Sequence, residues 1–238
     1  NLKQVGDEFV AQNSGRLSIA ATHSQARYAL PTVVRDFRAV YPQVTLELHQ
    51  GSPRQVAAML LSGEADIGVA TEALAQYEQL VALPCYRWTH SIVVPPGHAL
   101  LQSTGPVTLQ ALAQHPIITY EQGYTGRSHI DDAFAKAGLN PDVVLTAMDA
   151  DVIKTYVELG MGVGIVASIA MDDERDHRLV AIDAGHLFEV NQTRLAIRRG
   201  AWLRGYAYTF IETFAPTLHR EEIEKALAGV EGEIVQTA

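Results

Sequence analysis

The chain has 238 residues, of which 47% are hydrophobic and 19% charged, a composition typical of a soluble globular protein with room for one large or two small domains. Its formal net charge of -9 argues against this chain alone gripping a nucleic-acid backbone, which needs clustered Lys and Arg side chains. The charge does not exclude a small anionic ligand, because backbone N–H groups and hydroxyls bind anions without a formal positive charge.

Two features concern the compartment. No apolar run approaches the ~20 residues that a membrane-spanning helix needs. The single cysteine, Cys85, excludes an intrachain disulfide and fits a reducing compartment. Because Cys85 stands between apolar neighbours, we predict a buried, inert thiol rather than a redox sensor.

Residues 1–14 predict the end of an amphipathic helix. Leu2, Val5, Phe9 and Val10 recur at helical spacing between charged and amide residues. The chain has no initial Met and no signal-peptide pattern, so we expect a fragment or a processed product of a longer protein.

A first α/β block runs from residue 16 to residue 85. A strand over residues 15–20 leads into a polar turn, after which apolar residues recur at helical spacing as far as Tyr41. Pro31 in the first turns of this helix predicts a local kink. The other predicted elements of the block are a strand over 44–49, a helix over 54–61 with Ser52 as its N-cap, and strands over 66–70 and 81–86.

A second block covers residues 86–188. It begins with a connection over Trp88-Thr89-His90 and a strand over 91–96. The next predicted elements are a short helix over 107–112 capped by Thr108, a strand over 116–120, a turn over 121–128, a helix over 130–137, a strand over 143–147, a helix over 152–159 capped from 149–151, and strands over 165–167 and 179–182. A strand over 193–197 and helices over 203–214 and 220–227 complete the chain.

Strands that alternate with helices predict parallel sheets covered on both faces, and therefore an α/β fold of two subdomains. The late strand and helix have no sheet of their own. We therefore place residues 189–218 with residues 16–85 in subdomain I, residues 86–188 in subdomain II, and residues 219–238 in a C-terminal tail helix. The chain would then cross between the subdomains twice, and two adjacent crossovers predict a hinge beside a ligand cleft.

Polar turns follow the carboxyl ends of several strands, where α/β proteins place their ligands. Thr22, Ser24 and Gln25 follow the first strand, Thr71 follows the third, and Thr125 precedes a helix of the second block. Hydroxyls and N–H groups at the positive end of a helix dipole suit a small oxyanion. The same hydroxyls are also good helix caps, so either interpretation is open for each one. Convergence of the set on one cleft would favour ligand binding.

Nothing in the sequence indicates an enzyme. There is no Gly-x-Ser-x-Gly elbow, no phosphate loop and no His-Glu-x-x-His zinc helix, so we predict neither a catalytic nor a metal site. The glycines of residues 160–164 follow a helix and precede a strand, the reverse of the dinucleotide fingerprint, and predict a turn. His23 and His49 stand near strand ends, where structural roles are favoured over a role in ligand binding.

Six longer motifs carry a resemblance to a known family. They are Ala21-Thr22-His23-Ser24-Gln25-Ala26-Arg27-Tyr28-Ala29-Leu30-Pro31, His49-Gln50-Gly51-Ser52-Pro53, Ala70-Thr71-Glu72-Ala73-Leu74, Leu83-Pro84-Cys85-Tyr86, Thr125-Gly126-Arg127-Ser128 and Asp149-Ala150-Asp151-Val152-Ile153-Lys154-Thr155-Tyr156-Val157. On these motifs the chain from Gly15 to about Leu218 resembles the effector-binding domain of LysR-type transcriptional regulators. Within that family it is most similar to the CysB-like branch, which regulates cysteine biosynthesis and the use of sulfur sources.

The resemblance implies a periplasmic-binding-protein-like fold of type II, with two Rossmann-like subdomains joined by two crossover strands. It implies that DNA is bound only through an N-terminal winged helix-turn-helix domain absent from this chain, with residues 1–14 as the end of a linker helix. A homodimer of this fragment and a homotetramer of the full-length activator are implied, with RNA polymerase as a further partner and the cytoplasm as the compartment.

The implied ligand is a small anionic effector, with no other cofactor. By motif, the family's anion-binding positions fall on Thr22, Ser24, Gln25, Thr71 and Thr125, where Ser24 replaces an expected Thr and keeps the hydroxyl. Implied ligands are O-acetylserine or N-acetylserine as inducer, and sulfate, thiosulfate or sulfide as counter-signals. A sulfonate-utilisation relative would respond to sulfate or adenylylsulfate instead.

One alternative with the same fold class stays open, a solute-binding protein of a transport system that binds sulfate or an amino-acid-like anion. An export signal would distinguish that protein from a regulator, which has a DNA-binding domain upstream.

Overall fold

A computed structural model of the chain describes residues 13–172 and 174–229. The chain forms two compact units: unit 1 contains the described residues up to Tyr86 and from Thr193 onward, and unit 2 runs from Arg87 to Gln192. Residues 189–192, which the sequence placed in subdomain I, therefore belong to unit 2. Most of the predicted linker-helix end, residues 1–12, lies outside the described residues, as do residues 230–238 of the predicted tail.

The described residues form ten strands. They are β1 Gly15–Ala21, β2 Val44–Gln50, β3 Ile67–Thr71, β4 Leu80–Trp88, β5 His90–Val94, β6 Ile117–Tyr120, β7 Val143–Ala147, β8 Val163–Ala167, β9 Val180–Asp183 and β10 Asn191–Arg198. Only Thr89 separates β4 from β5, so Trp88 and His90 are strand residues rather than the predicted connection.

Seven α-helices accompany these strands in the described part of the chain. They are α1 Leu30–Val40, α2 Pro53–Ser62, α3 Leu109–Leu112, α4 Thr125–Lys136, α5 Ala150–Glu158, α6 Gly205–Phe214 and α7 Arg220–Leu227. A π-helical turn, Gln25–Ala29, precedes α1 directly, at the position where Pro31 predicted a kink.

Each unit is built on one five-stranded sheet. The strand order is β2-β1-β3-β10-β4 in unit 1 and β7-β6-β8-β5-β9 in unit 2. The strands β4 and β10 run across the unit boundary, which confirms the predicted pair of crossover strands.

The sheets are mixed, and the prediction of purely parallel sheets was wrong. In unit 1, β1 is parallel to β2 and β3, whereas β10 is antiparallel to β3. In unit 2, β5 is antiparallel to both β8 and β9. A helical crossover forces a parallel pair, but β10 enters its sheet after the chain has passed through unit 2, so no such crossover sets its direction.

The helix α2 shows how local sequence sets an element. The Ser52 hydroxyl accepts from the Gln55 N–H, and the Gln55 side chain accepts from the Ser52 N–H at 2.8 Å, which together form a capping box. Pro53 occupies the first turn, where its missing N–H costs nothing. Gly63 ends the helix with a φ of 79°, a left-handed conformation that glycine adopts without strain.

One hydrophobic core of unit 1 is formed by residues of its sheet together with α1 and α6. Leu30, Val33 and Phe37 recur at helical spacing and are the buried residues of α1. The Phe37 ring meets the Phe210 ring of α6 edge-on, with 5.5 Å between centroids. The helix next to the polar turn is thus anchored through aromatic contacts to an element that arrives late in the chain.

Candidate functional site

The turn after β1 is tied to the sheet by the backbone of Thr22. The Thr22 N–H donates to the carbonyl of Val69 in β3 at 3.1 Å, and its own carbonyl accepts from the Ala26 N–H at 2.9 Å. Thr22 is buried as a result. These two backbone hydrogen bonds therefore fix the position of the Thr22 hydroxyl between the carboxyl end of the sheet and the first helical turn.

The next residues form the π-helical turn Gln25–Ala29, in which the Leu30 N–H donates to the Gln25 carbonyl five residues earlier. Pro31 lies two residues after this turn and has no backbone N–H to donate. Single π-helical turns are rare and occur frequently at functional sites, because the extra residue per turn re-aims side chains. Here the π-helical turn begins at Gln25, one of the residues that the sequence predicted as a ligand contact.

Gln25 is only 1% exposed, and its amide is held at both ends. The amide nitrogen donates to the hydroxyl of Thr193 at 3.0 Å, and the Tyr86 hydroxyl donates to the amide oxygen. Burial raises the pKa of Tyr86, and its hydrogen bonds to Thr193 and Gln25 offset part of that rise. The phenol therefore stays protonated at neutral pH and keeps its role as a donor.

Thr71 joins this group through the sheet. It is the last residue of β3, it is buried, and it pairs in register with Thr193 of the antiparallel strand β10. The structure thus gathers Thr22, Gln25 and Thr71 at one end of the unit 1 sheet, around Thr193. All of these side chains are neutral hydroxyls or amides, the groups that bind a small oxyanion without an opposing charge.

Helix capping does not account for the hydroxyls of Ser24 and Thr71. Neither Ser24 nor Thr71 makes a side-chain capping hydrogen bond to the helical turn that follows it. Ser52, Thr108 and Asp149, by contrast, each accept a hydrogen bond from a backbone N–H in the first turn of their helices. The side chains of Ser24 and Thr71 therefore differ from those of these three residues, which act as helix caps.

Thr125 lies in unit 2 as the first residue of α4. The cap position belongs to Tyr124, which makes no side-chain capping bond. The predicted turn over residues 121–128 and a helix starting at Ile130 were wrong, because the helix already begins at Thr125. The cause is Arg127, whose buried guanidinium donates to the Tyr120 carbonyl and the Asp131 carboxylate, both at 2.7 Å. These bonds fix the first turn of α4 against β6.

Sequence reasoning missed two residues of the unit 1 site, Tyr86 and Thr193. Both stand on the crossover strands, far along the chain from Gln25, and both hold its amide. A signal was present in Tyr86, since it belongs to one of the family-like motifs, but nothing local marked Thr193.

Of the two histidines considered from the sequence, His49 lies on β2 with its ring nitrogens 4.0 Å from a Glu47 carboxylate oxygen and 3.8 Å from one of Glu64. Its contacts are therefore with surface carboxylates of unit 1. Nowhere among residues 13–172 and 174–229 are three or more His, Cys, Asp or Glu side chains grouped to hold a metal ion. Within the same described ranges no helix has the length and apolar character to span a bilayer.

Comparison with protein families gives a match to the LysR substrate binding domain over residues 11–218. The chain belongs to the LysR family. The LysR match covers both units, so the two-subdomain, periplasmic-binding-protein-like fold implied by the motifs is confirmed.

Among characterised relatives, the chain is 58% identical over 223 residues to the HTH-type transcriptional regulator SsuR of Burkholderia cenocepacia. That match covers 94% of this chain and 72% of SsuR. The identity is 54% over 229 residues to CysB of the same organism, covering 96% of this chain and 73% of CysB. It is 48% over 225 residues to the regulator cbl of Escherichia coli, covering 94% of this chain and 71% of cbl. The relatives are transcriptional regulators, and the alternative of a transport protein is not favoured.

Solved structures agree with this assignment. The crystal structure of the cofactor-binding domain of the Cbl transcriptional regulator matches with a TM-score of 0.85 and 49% identity, covering 90% of this chain and 93% of that domain. The effector binding domain of QuiR in complex with shikimate matches with a TM-score of 0.74 at 16% identity, covering 85% of this chain and 96% of QuiR's domain. At 16% identity, the similarity to the QuiR domain supports the fold and nothing beyond it.

Proposed function

We propose that the chain is the effector-sensing part of a regulator of sulfur assimilation and cysteine biosynthesis, and that it binds sulfate, O-acetylserine or N-acetylserine. Membership of the LysR family and the high identity to SsuR, CysB and cbl support a sensing rather than an enzymatic role. The resemblance of the motifs to the CysB-like branch supports the choice of effector.

The observation that carries this proposal is the grouping of neutral hydroxyl and amide side chains at the end of the unit 1 sheet. Thr22 and Thr71 are buried at the carboxyl ends of neighbouring strands, and Thr71 does not act as a helix cap. Sulfate and the carboxylate of an acetylated serine share the oxyanion chemistry that hydroxyls and backbone N–H groups recognise. Ser24 extends the same surface, and Thr125 offers a further hydroxyl in unit 2.

The other assignments follow from this role. We assign DNA binding to a helix-turn-helix segment outside this chain, in keeping with the HTH-type names of the relatives. We also propose a homodimer of this chain, a homotetramer of the full-length regulator, contact with RNA polymerase, and a cytoplasmic location. Sedimentation analysis of the purified chain tests the dimer directly, since the expected mass is twice 25.9 kDa.

A thermal-shift screen of the purified chain tests the effector. The ligands are sulfate, thiosulfate, sulfide, O-acetyl-L-serine, N-acetyl-L-serine and adenylylsulfate. A ligand that binds only the native state raises the melting temperature by mass action, by an amount that grows with its concentration over Kd. Sulfate or an acetylserine is expected to give such a concentration-dependent rise. No rise with any of the six ligands would refute the proposed effector class.

Calorimetry on three variants then tests the site. Thr22→Ala and Thr71→Ala each remove a hydrogen bond to a charged ligand, which is expected to cost about 1.5–3 kcal/mol of binding free energy, or roughly 10- to 150-fold in Kd. Thr108→Ala is the matched control, because Thr108 is a helix cap of unit 2 and not a predicted ligand contact. It is expected to lower stability and leave Kd unchanged. Equal Kd values for all three variants and the wild type would exclude Thr22 and Thr71 from the site.

A further inference from the structure

The loop between β10 and α6 exposes a tryptophan on the surface of unit 1. Trp202 is 82% exposed, the highest fraction among the exposed large hydrophobic residues in the described part of the chain. The loop itself is anchored, because Leu203 is buried in the core of unit 1 and the Ala201 N–H donates to the Arg198 carbonyl at 3.0 Å. The exposure of the indole ring is therefore a property of a fixed loop.

Three arginines lie within four positions of Trp202. Arg198, Arg199 and Arg204 are all exposed, and within the described residues none of the three forms an ion pair. Arg199 Nε donates to the Glu78 carbonyl at 3.2 Å, which holds that guanidinium in place. Tryptophan and arginine are the residue types that most often dominate the binding energy of protein interfaces. Trp202 and the three arginines, the Trp202 surface, therefore fit an apolar segment that carries negative charge.

The Trp202 surface lies at the end of the unit 1 sheet opposite the polar turn. Thr193 of β10 pairs with Thr71 at the carboxyl end of β3, and β10 ends five positions later at Arg198. The Tyr206 hydroxyl at the start of α6 donates to the Arg16 carbonyl at the start of β1 at 2.9 Å. An occupant of this surface therefore does not compete with a ligand at the turn after β1, and the inference is independent of the proposed effector.

The last described residue, Gly229, lies beside the Trp202 surface. A Cβ built on Gly229 would lie 4.0 Å from Nη1 of Arg199. Residues 230–238 therefore begin next to one of the three arginines. Trp202 is three positions from Arg199, at most about 11 Å along the chain, whereas a nine-residue segment spans up to about 30 Å. The C-terminal segment, residues 230–238, is thus long enough to reach the indole ring.

The composition of the C-terminal segment complements this surface. It contains Glu231 and Glu233 and no lysine or arginine, so its side chains carry a formal charge of -2. Its apolar residues include the pair Ile234 and Val235, directly after the second glutamate. Carboxylates pair well with guanidinium groups, and aliphatic side chains gain free energy by covering an aromatic ring.

Residues 1–12 are the other segment that begins near the Trp202 surface. A Cβ built on Gly15 would lie 3.5 Å from Nη1 of Arg204. Residues 1–12 contain one lysine against one aspartate and one glutamate, so their side chains carry a formal charge of -1. The charge complementarity to three arginines therefore favours the C-terminal segment over residues 1–12.

We propose that the C-terminal segment binds to the Trp202 surface of its own chain, with Glu231 and Glu233 at the arginines and Ile234 and Val235 against the indole ring. A contact within one chain acts at an effective concentration on the order of mM, so modest complementarity is sufficient to populate it. The segment covers an aromatic and basic surface that is otherwise open to other proteins.

Quenching of tryptophan fluorescence by acrylamide tests the proposal. The chain has two tryptophans, and Trp88 is only 8% exposed, so the variant Trp88→Phe leaves Trp202 as the reporter. Acrylamide is neutral, so the arginines do not attract it. In this background the 238-residue chain is compared with a chain that ends at Gly229 and keeps every described residue. Because bound segments exclude solvent, the quenching constant of the full chain is expected to be about half that of the shorter chain, or less.

Equal quenching constants for the two chain lengths would overturn the inference. The matched control is the same pair of chain lengths in a Trp202→Phe background, where the buried Trp88 is the reporter. There the quenching constant is expected to be unaffected by the loss of residues 230–238. A rise of equal factor in both backgrounds would mean that truncation loosens the whole chain, and it would also overturn the inference.

Charge reversal provides a variant of full length. In the Trp88→Phe background, Glu231→Lys/Glu233→Lys places like charges against the arginines and is expected to raise the quenching constant toward that of the shorter chain. The matched control, Glu158→Lys/Glu174→Lys, changes the net charge by the same amount at two exposed positions of unit 2 and is expected to leave the constant unchanged. Equal constants for the two double variants would contradict the proposal.

Two rival occupants predict different results, and either result would refute the C-terminal segment as the occupant. The first is a rise in the quenching constant when residues 1–12 are removed, with none when residues 230–238 are removed, which identifies the N-terminal segment. The second is a quenching constant that falls as the protein concentration rises and ignores the loss of residues 230–238, which identifies a second copy of the chain.

Discussion

The amide of Gln25 donates to the hydroxyl of Thr193 at 3.0 Å, although the two residues are 168 positions apart. Gln25 stands in the polar turn after the first strand, and Thr193 stands on β10, which enters unit 1 after the chain has passed through all of unit 2. The candidate effector turn is therefore complete only when the late strand has been added. This contact couples the geometry of the turn to one of the two crossover strands.

Replacing Gln25 by Leu is expected to destabilise the chain by about 1–3 kcal/mol, because it leaves the hydroxyls of Thr193 and Tyr86 without their shared partner. Urea denaturation measures this change. The double variant Gln25→Leu/Thr193→Val serves as the control, since it removes both ends of one hydrogen bond. Its destabilisation is expected to fall short of the sum of the single changes. Simple additivity would show that the contact is energetically unimportant.

The sequence predicted the local parts of this site and not its long-range parts. Hydrophobic periodicity marked the strand, the turn and α1, because period and turn chemistry are properties of neighbouring residues. Gln25 is hydrogen-bonded to Tyr86, 61 positions away, and to Thr193, 168 positions away. No local sequence pattern encodes contacts over such separations. The direction of β10 was missed for the same reason.

The early start of α4 shows a second limit. The run Thr125-Gly126-Arg127-Ser128 contains a glycine, which is a poor helix former, and predicted a turn. In the structure the side chain of Arg127 bonds to the Tyr120 carbonyl and so holds the run in a helical turn. Tertiary contacts of this kind override local propensity.

Lys154 and Asp176 form a buried ion pair in unit 2, with 2.8 Å between Lys154 Nζ and the Asp176 carboxylate. Lys154 also donates to the Ala170 carbonyl at 2.8 Å. Lys154→Met strands the Asp176 carboxylate and is expected to cost about 3–5 kcal/mol in urea denaturation. The control is Arg16→Ala, which breaks the exposed pair with Glu47 and is expected to cost at most about 1 kcal/mol. Similar costs for both variants would contradict the difference in burial.

Cys85 is expected to be unreactive in the native protein. Burial raises the pKa of its thiol to about 12, which outweighs the lowering effects of the Leu195 backbone and Arg194. The thiolate is the nucleophile, so alkylation at pH 8 is expected to be more than about a hundredfold slower than for a free cysteine. Mass spectrometry of iodoacetamide-treated protein follows the reaction, with urea-unfolded protein as the reactive control. Rapid labelling of the native chain would instead indicate a redox-competent thiol.

His90 is expected to make stability fall as the pH falls. Burial lowers its pKa from 6.5 to about 3, with a further lowering by His129 and a partial offset by a hydrogen bond with the Gly126 backbone. The unfolded state therefore binds the extra proton between these two pH values. This contribution to stability is complete above pH 6.5 and is lost progressively toward pH 3. For a single group with these values, linkage gives a loss of about 2 kcal/mol between pH 7 and pH 5. Urea denaturation at both pH values is the measurement.

The variant His90→Phe isolates this contribution, because it keeps a ring in contact with Trp88 and Phe188 but cannot bind a proton. Between pH 7 and pH 5 it is expected to lose about 2 kcal/mol less than the wild type. His177→Phe is the matched control, since His177 is exposed in the same unit, and it is expected to follow the wild-type pH dependence. Parallel pH profiles for the wild type and His90→Phe would mean that the buried imidazole is not held neutral.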